Sequence, residues 1–161
     1  MEVNTLAEVL VNKLDPSFKF EVSSHPGGEN LKSCFACGAC TGGCPASEAD
    51  NAYDPRKIIR MILLGMKEKV LSSDIIWLCS MCFNCSFHCP QDVQFVKVMA
   101  VLRQMAVKEG YAAPSFLKNV QEIDRLTQTI RHHMVMAIAP RKLEDFTVKP
   151  KELLNQAAEK L

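Results

Sequence analysis

One cysteine phrase occurs twice in this sequence: Cys34-x-x-Cys37-x-x-Cys40-x-x-x-Cys44-Pro45, then Cys79-x-x-Cys82-x-x-Cys85-x-x-x-Cys89-Pro90, with every counterpart 45 positions away. The two copies use all eight cysteines of the 161-residue chain, so the fold must order both runs and leaves no thiol over. Disulfides suit an even cysteine count in a small secreted domain. The N-terminus, however, lacks the basic start, apolar stretch and small-residue cleavage site of a signal peptide. Zinc also takes four thiolates, normally from two separated knuckles of two ligands each. Three cysteines at i, i+3 and i+6, with a fourth four residues later and proline behind it, form instead the bacterial ferredoxin run for a 4Fe-4S cluster.

Two 4Fe-4S clusters are therefore the expected cofactors. Three cysteines of a run wrap one cluster while the fourth, in two-cluster ferredoxins, ligates the other cluster. Under that rule Cys34, Cys37, Cys40 and Cys89 hold one cluster, and Cys79, Cys82, Cys85 and Cys44 hold the second. A zinc-stabilised interaction module without redox activity is the competing account of the same cysteines.

The length fits one domain with appendages, and a hydrophobic fraction of 48% is enough for a packed core. The apolar stretch from Ile58 to Leu64 is broken by Arg60 and falls far short of the roughly 20 residues of a membrane span, so a soluble chain is expected. Eight thiolates and two cluster cores in the 2+ state move the formal charge from +1 to about −3. No basic patch with interleaved aromatics points to nucleic acid. Iron-sulfur thiolates favour a reducing, cytoplasmic setting.

The remaining pattern is helical. Thr5-x-x-Glu8 is a capping box ahead of Leu6, Val9, Leu10 and Leu14, predicting an amphipathic helix that ends near Asp15-Pro16 and packs on its own domain or on a partner. Phe18 to Val22 alternates apolar and polar residues, which predicts a short extended piece before the turn His25-Pro26-Gly27-Gly28. A surface histidine is the simpler reading of His25, since the cysteines fill both sites. Between the runs, Asp54-Pro55 reads as a helix start with Ile58, Ile59, Ile62, Leu63 and Met66 on one stripe and Gly65 near the end. Asp92 is expected to cap a helix to about Gly110, with Val93, Val96, Met99, Ala100, Leu102, Met105 and Ala106 inward and Lys97, Gln104 and Lys108 outward. Another helix follows Pro114 with Phe116, Val120, Ile123 and Ile130 as its stripe.

From His132 onward the sequence is less regular, and Met134, Val135, Met136 and Ile138 predict cover by a partner protein. Adjacent His132 and His133 diverge on a helix and read as solvent or interface residues. The sequence divides at 1–30, a helix and extended segment; 31–131, the two-cluster domain; and 132–161, a partner-binding tail. The fold class is all-α. Phe35, Trp77, Phe83 and Phe87 are expected to wall the clusters from water. Small Ala36, Gly38, Ala39, Gly42 and Gly43 should let N–H groups approach cluster sulfurs. Met81, Phe83, Asn84, Ser86 and His88 make the second environment different, so the two potentials should differ.

These residues resemble a known family. Cys34-Phe35-Ala36-Cys37-Gly38-Ala39-Cys40-Thr41-Gly42-Gly43-Cys44-Pro45, Asp54-Pro55-Arg56-Lys57-Ile58-Ile59-Arg60 and Ile76-Trp77-Leu78-Cys79-Ser80-Met81-Cys82-Phe83-Asn84-Cys85 are similar to HdrC, the small iron-sulfur subunit of heterodisulfide reductase, over roughly Leu31 to Gly110. The resemblance implies an α-helical ferredoxin domain in a complex. An HdrB-like subunit would hold the disulfide-reducing site and an HdrA-like subunit the flavin, in methanogens with a hydrogenase or formate dehydrogenase joined to it. This chain is then a non-catalytic electron relay of an oxidoreductase, with no substrate site of its own. A freely diffusing two-cluster ferredoxin, or the iron-sulfur subunit of another oxidoreductase, is the alternative.

Overall fold

The computed structural model describes residues 11–138 together with Glu152, Leu154 and Asn155. The predicted N-terminal helix lies mostly outside these residues, as does the tail from 139 to 151. Val11–Lys13, the described end of that stretch, is a 3-10 turn. The described residues form helices α1 (Phe18–Ser24), α2 (Ala39–Gly42), α3 (Pro45–Ala49), α4 (Pro55–Leu63), α5 (Lys67–Leu71), α6 (Asn84–Phe87), α7 (Phe95–Lys108) and α8 (Pro114–Ile138), and no strand. The all-α class is thus as expected.

Two compact units divide the chain, Met1–Leu117 and Lys118–Leu161. In the first, one hydrophobic core joins Phe18 and Val22 of α1, Leu31, Ile58, Ile59 and Ile62 of α4, Leu71, Ile76, and Phe95, Met99 and Leu102 of α7. Six of the eight cysteines belong to this core or pack against it. Helix α4 forms where the sequence predicted it. The Asp54 carboxylate accepts from the Lys57 N–H at 3.1 Å, Pro55 takes the first helical position, and the isoleucines turn inward. Gly65 follows at φ 80°, and its backbone carbonyl accepts from the Asp15 N–H at 2.7 Å; a Cβ there would meet the Asp15 carbonyl oxygen at 2.3 Å. Lys67 fastens three elements, bonding Glu21 of α1 and Glu109 just past α7, each at 2.8 Å. Burial works against the Lys67 charge, but these hydrogen bonds raise its pKa overall.

Three expectations needed correction. Phe18 to Val22 is helical rather than extended: Phe18 and Val22 are both fully buried and Phe20 is exposed, which is the i, i+4 register of a helix face. Asp92 does not cap α7. Gln94 precedes the helix with φ 53°, and the Asp92 carboxylate accepts instead from the Gln94 side-chain amide. In α8, Val120 is buried but Ile123 is exposed, and the helix runs on to Ile138 through the histidines rather than becoming irregular at His132.

Candidate metal centres

The two cysteine runs have the same backbone. Counting from the first cysteine, the residues two and four places on have positive φ in both copies: Ala36 at 60° and Gly38 at 87°, Met81 at 52° and Phe83 at 64°. A short helix then begins one residue later in each, α2 and α6, four residues long in both. Left-handed residues alternating with ordinary ones curl the chain so that its N–H groups face a common point, an arrangement that attracts anions and holds many iron-sulfur centres. The Ala36 N–H accordingly donates to Cys34 Sγ at 3.4 Å, and the Met81 N–H donates to the Cys79 sulfur. The Val93 N–H donates to Cys89 Sγ at 3.4 Å. Cys44 lacks the corresponding bond because the Glu48 N–H joins helix α3 through the Cys44 carbonyl.

Across the copies, α2 packs on α6. Cys34, Cys37, Cys40, Cys85 and Cys89 all line one cavity, together with Ile59, Phe95 and Arg56. Cys44 lies with the second run: its charge acts on Cys79 and Cys85, and it shares an open groove with Cys82. In both runs the second cysteine, Cys37 or Cys82, is the exposed one, whereas Cys79 and Cys85 are buried. Burial pushes the free thiols of Cys40, Cys79 and Cys85 up, Cys85 to about 11. Such thiols stay protonated at neutral pH unless a cation holds them as thiolates, and a coordinated metal does so outright.

Among the described residues no three His, Cys, Asp or Glu side chains are grouped to hold a single metal ion. Four sulfurs on one Zn²⁺ at ~2.3 Å would lie within roughly 4 Å of one another. Each cysteine of a cubane takes a separate iron, so its four sulfurs stand further apart. The donor chemistry here, two quartets of thiols with backbone N–H groups aimed at their sulfurs, fits 4Fe-4S clusters.

The aromatic wall expected around the runs is only partly present. Trp77 packs edge-on against Phe116 with centroids 4.9 Å apart, but Phe35, Phe83 and Phe87 are exposed, Phe87 at 86%. Of the small residues, Ala36 shows the expected bond to a sulfur; Gly38 instead supplies the left-handed turn. His88 is exposed and stacks edge-on with Phe87.

Three neighbours of the second run, Tyr53, Ser47 and Arg103, went unrecognised in the sequence, while Ser86 was expected only as part of a different second environment. Tyr53 is 1% exposed, and its hydroxyl has no protein hydrogen-bond partner in the structure, yet it lies beside the Cys79 sulfur. Burial, then the negative charge available at Cys79, push the Tyr53 hydroxyl far above its ordinary pKa, so it stays a donor. Ser86 Oγ is likewise buried and unpartnered next to Cys85, and Ser47 Oγ is a third such hydroxyl, in the groove with Cys44 and Cys82. Buried Arg103 donates to the carbonyls of Ile76, Trp77 and Cys79 at 2.9, 3.1 and 2.8 Å, fixing the start of the run. Only the position of Ser86 carried a signal: it matches Thr41 in the other copy.

Residues 30–93 match the family model described as a 4Fe-4S dicluster domain, so the chain carries two 4Fe-4S clusters. The chain is 36% identical over 102 residues to the C subunit of the H2:CoB-CoM heterodisulfide, ferredoxin reductase of Methanothermobacter thermautotrophicus, covering 63% of this chain and 54% of that protein. It is 44% identical over 84 residues to the C2 subunit of the H2/formate:CoB-CoM heterodisulfide, ferredoxin reductase of Methanococcus maripaludis, covering 52% and 45%. To the C subunit of the ferredoxin:CoB-CoM heterodisulfide reductase of Methanosarcina acetivorans it is 41% identical over 85 residues, covering 53% and 34%. The chain thus spans about half or less of the length of these relatives.

Proposed function

We propose, for a chain whose dicluster domain is related to the HdrC subunits of heterodisulfide reductases, that it is the iron-sulfur relay subunit of such an oxidoreductase complex. Cys34, Cys37, Cys40 and Cys89 hold the first cluster, and Cys79, Cys82, Cys85 and Cys44 the second. Electrons enter from a flavin-bearing HdrA-like subunit and leave for an HdrB-like subunit that reduces a disulfide, with a hydrogenase or formate dehydrogenase feeding the flavin. The setting is cytoplasmic; no helix among the described residues is long and apolar enough to cross a membrane.

The observation that carries this reading is that each sulfur quartet buries or half-buries three cysteines and exposes one, at the same position of the repeat, with exposed phenylalanines nearby. In the sequence, Phe35 lies two residues before Cys37 and Phe83 directly after Cys82, and both are exposed. A ligand at the surface with an apolar collar is what a relay needs where a partner's centre must approach closely. The N–H groups on the sulfurs and the buried walls adjust potential rather than bind an organic molecule.

Anaerobic purification with iron, sulfide and zinc analysis, followed by EPR of the dithionite-reduced protein, tests the cofactor part. About eight irons and eight sulfides per chain are expected; zinc without labile sulfide would overturn the reading. Affinity isolation from the native host, with flavin and partner proteins identified in the eluate, tests the relay role. A chain that behaves there as a lone monomer would sink it.

A further inference from the structure

Resting on the two-cluster reading above, we propose that Tyr53 and Ser86 donate hydrogen bonds to the thiolates of Cys79 and Cys85, and that these donors set the second cluster at a higher potential than the first. Among the described residues three buried hydroxyls lack a protein partner, on Ser47, Tyr53 and Ser86, and all three surround the second sulfur quartet. A buried hydroxyl left unbonded is destabilising, because it loses its hydrogen bonds to water and gains none in return. Three in one place therefore point to acceptors that become available only when a cluster is bound: the cysteine sulfurs beside them as thiolates, and the bridging sulfides.

At the first site Thr41 also reaches the Cys40 sulfur, but its hydroxyl has a competing acceptor. Thr41, which occupies the Ser86 position of its own run, has a single proton, and it gives that proton to the Asp54 carboxylate at 2.6 Å. Its oxygen also accepts the Arg56 N–H at 3.1 Å. Burial opposes the Asp54 charge, but these contacts and the Lys57 N–H hold its carboxyl below the usual range, so a negative charge stands behind the first run.

Reduction adds negative charge to a cluster and its sulfurs, so a donor strengthens its bond in the reduced state and raises the potential; a nearby carboxylate lowers it. Two features act the other way. Arg56 flanks the first cavity, but it is exposed and its charge is screened by water. Cys79 and Cys85 are the more buried ligands, which disfavours added charge, and the hydroxyl donors and the Arg103 charge on Cys79 offset this. Transfer between the sites moves one electron, supplied by the flavin partner, with no bond made or broken and no proton carried. It runs downhill from the Cys37 side to the Cys82 side.

The test is potentiometric EPR on anaerobically purified holoprotein, wild type and variants, after iron and sulfide counts. Tyr53→Phe should lower the reduction equilibrium of the higher-potential cluster about tenfold, a shift of 59 mV for one electron, and leave the other cluster in place. Ser86→Ala should move the same cluster in the same direction by less, and Ser86→Thr should restore it. Movement of the lower-potential cluster, equal movement of both, or no movement would overturn the proposal. If Tyr53→Phe purifies short of iron, the Ser86 pair decides by the same criteria. Zinc in place of iron and sulfide in the wild type would bring down the two-cluster reading itself, and this inference with it.

Discussion

In the first cysteine run the hydroxyl after the third cysteine, Thr41, is tied to the carboxylate that caps α4; in the second, the matching Ser86 faces a cysteine and has no protein partner. The backbones of the two runs agree in their left-handed positions and in the start of their short helices. The shared part is what any such run needs to curl around a multi-iron centre. The differences lie in what each side chain touches: the first run is joined to the helical frame through Thr41 and Asp54, and the second is surrounded by buried donors. One repeat thus gives two unlike sites without changing its ligand pattern.

The largest effect should come from breaking the exchange between runs. Cys44→Ser removes a cysteine from the first run but should eliminate the cluster held by Cys79, Cys82 and Cys85. Cys89→Ser should do the reverse, each costing about half of the iron and one of two EPR signals. Loss of the cluster belonging to the mutated run's own three cysteines would show that the fourth ligands do not cross.

Next in size is a backbone test. The same left-handed position holds Gly38 in one run and Phe83 in the other. Gly38→Ala should cost ~1–2 kcal/mol and lower the apparent melting temperature of the holoprotein, since φ 87° is unfavourable for an L-residue. Phe83→Gly should relieve a cost of that kind while adding chain entropy to the unfolded state, leaving stability within ~1 kcal/mol. It also removes an exposed aromatic beside Cys82, so weaker retention of a partner at unchanged stability would identify Phe83 as part of a docking surface. A large destabilisation by Phe83→Gly would show that the ring is structural.

Much of this was legible in the sequence, and for identifiable reasons. The ligand pattern and its 45-residue offset are covalent facts, and Asp54-Pro55 followed by isoleucines at helical spacing is a local signal that the tertiary fold did not override. Alternation from Phe18 to Val22 misleads because five residues contain both a period of two and an i, i+4 pair, and only the buried surface selects between them. Aromatic residues near the cysteines suggest walls, yet Phe35, Phe83 and Phe87 are all exposed, because closeness in sequence to a ligand does not decide which side of the chain a ring covers. Tyr53 and Arg103 reach the second run from 26 residues before and 24 after Cys79, and no local spacing encodes such approaches.

A finer test exchanges the roles of the two matching hydroxyls. Thr41→Val removes the bond to Asp54 and the acceptor for the Arg56 N–H, so it should cost ~0.5–2 kcal/mol, a cap-sized loss. Ser86→Ala should lower the melting temperature less, because it removes only a donor to the Cys85 sulfur and leaves the helical frame intact. Equal destabilisation by both substitutions would erase the distinction between a framing hydroxyl and one that faces a sulfur.

The smallest expected effect is acid sensitivity confined to the first run. The Asp54 carboxyl is held below its ordinary pKa in the folded chain, so its contribution is present above the unfolded value near 3.8 and is lost as pH falls through the lower folded value. The hydrogen bonds to Thr41 and Lys57 are the source of that contribution, and Asp54 is partly open to water, which keeps it small. Asp54→Asn keeps an acceptor for the Lys57 N–H but removes the charge, so the variant should start less stable at neutral pH and lose less between about pH 5 and 3. Acid releases iron from thiolates at both sites by protonating them, so unfolding should be followed by circular dichroism alongside cluster absorbance. If the wild type and Asp54→Asn lose helix in parallel across that range, the carboxylate is not what joins the first run to α4, and the contrast between the two runs would rest on Thr41 alone.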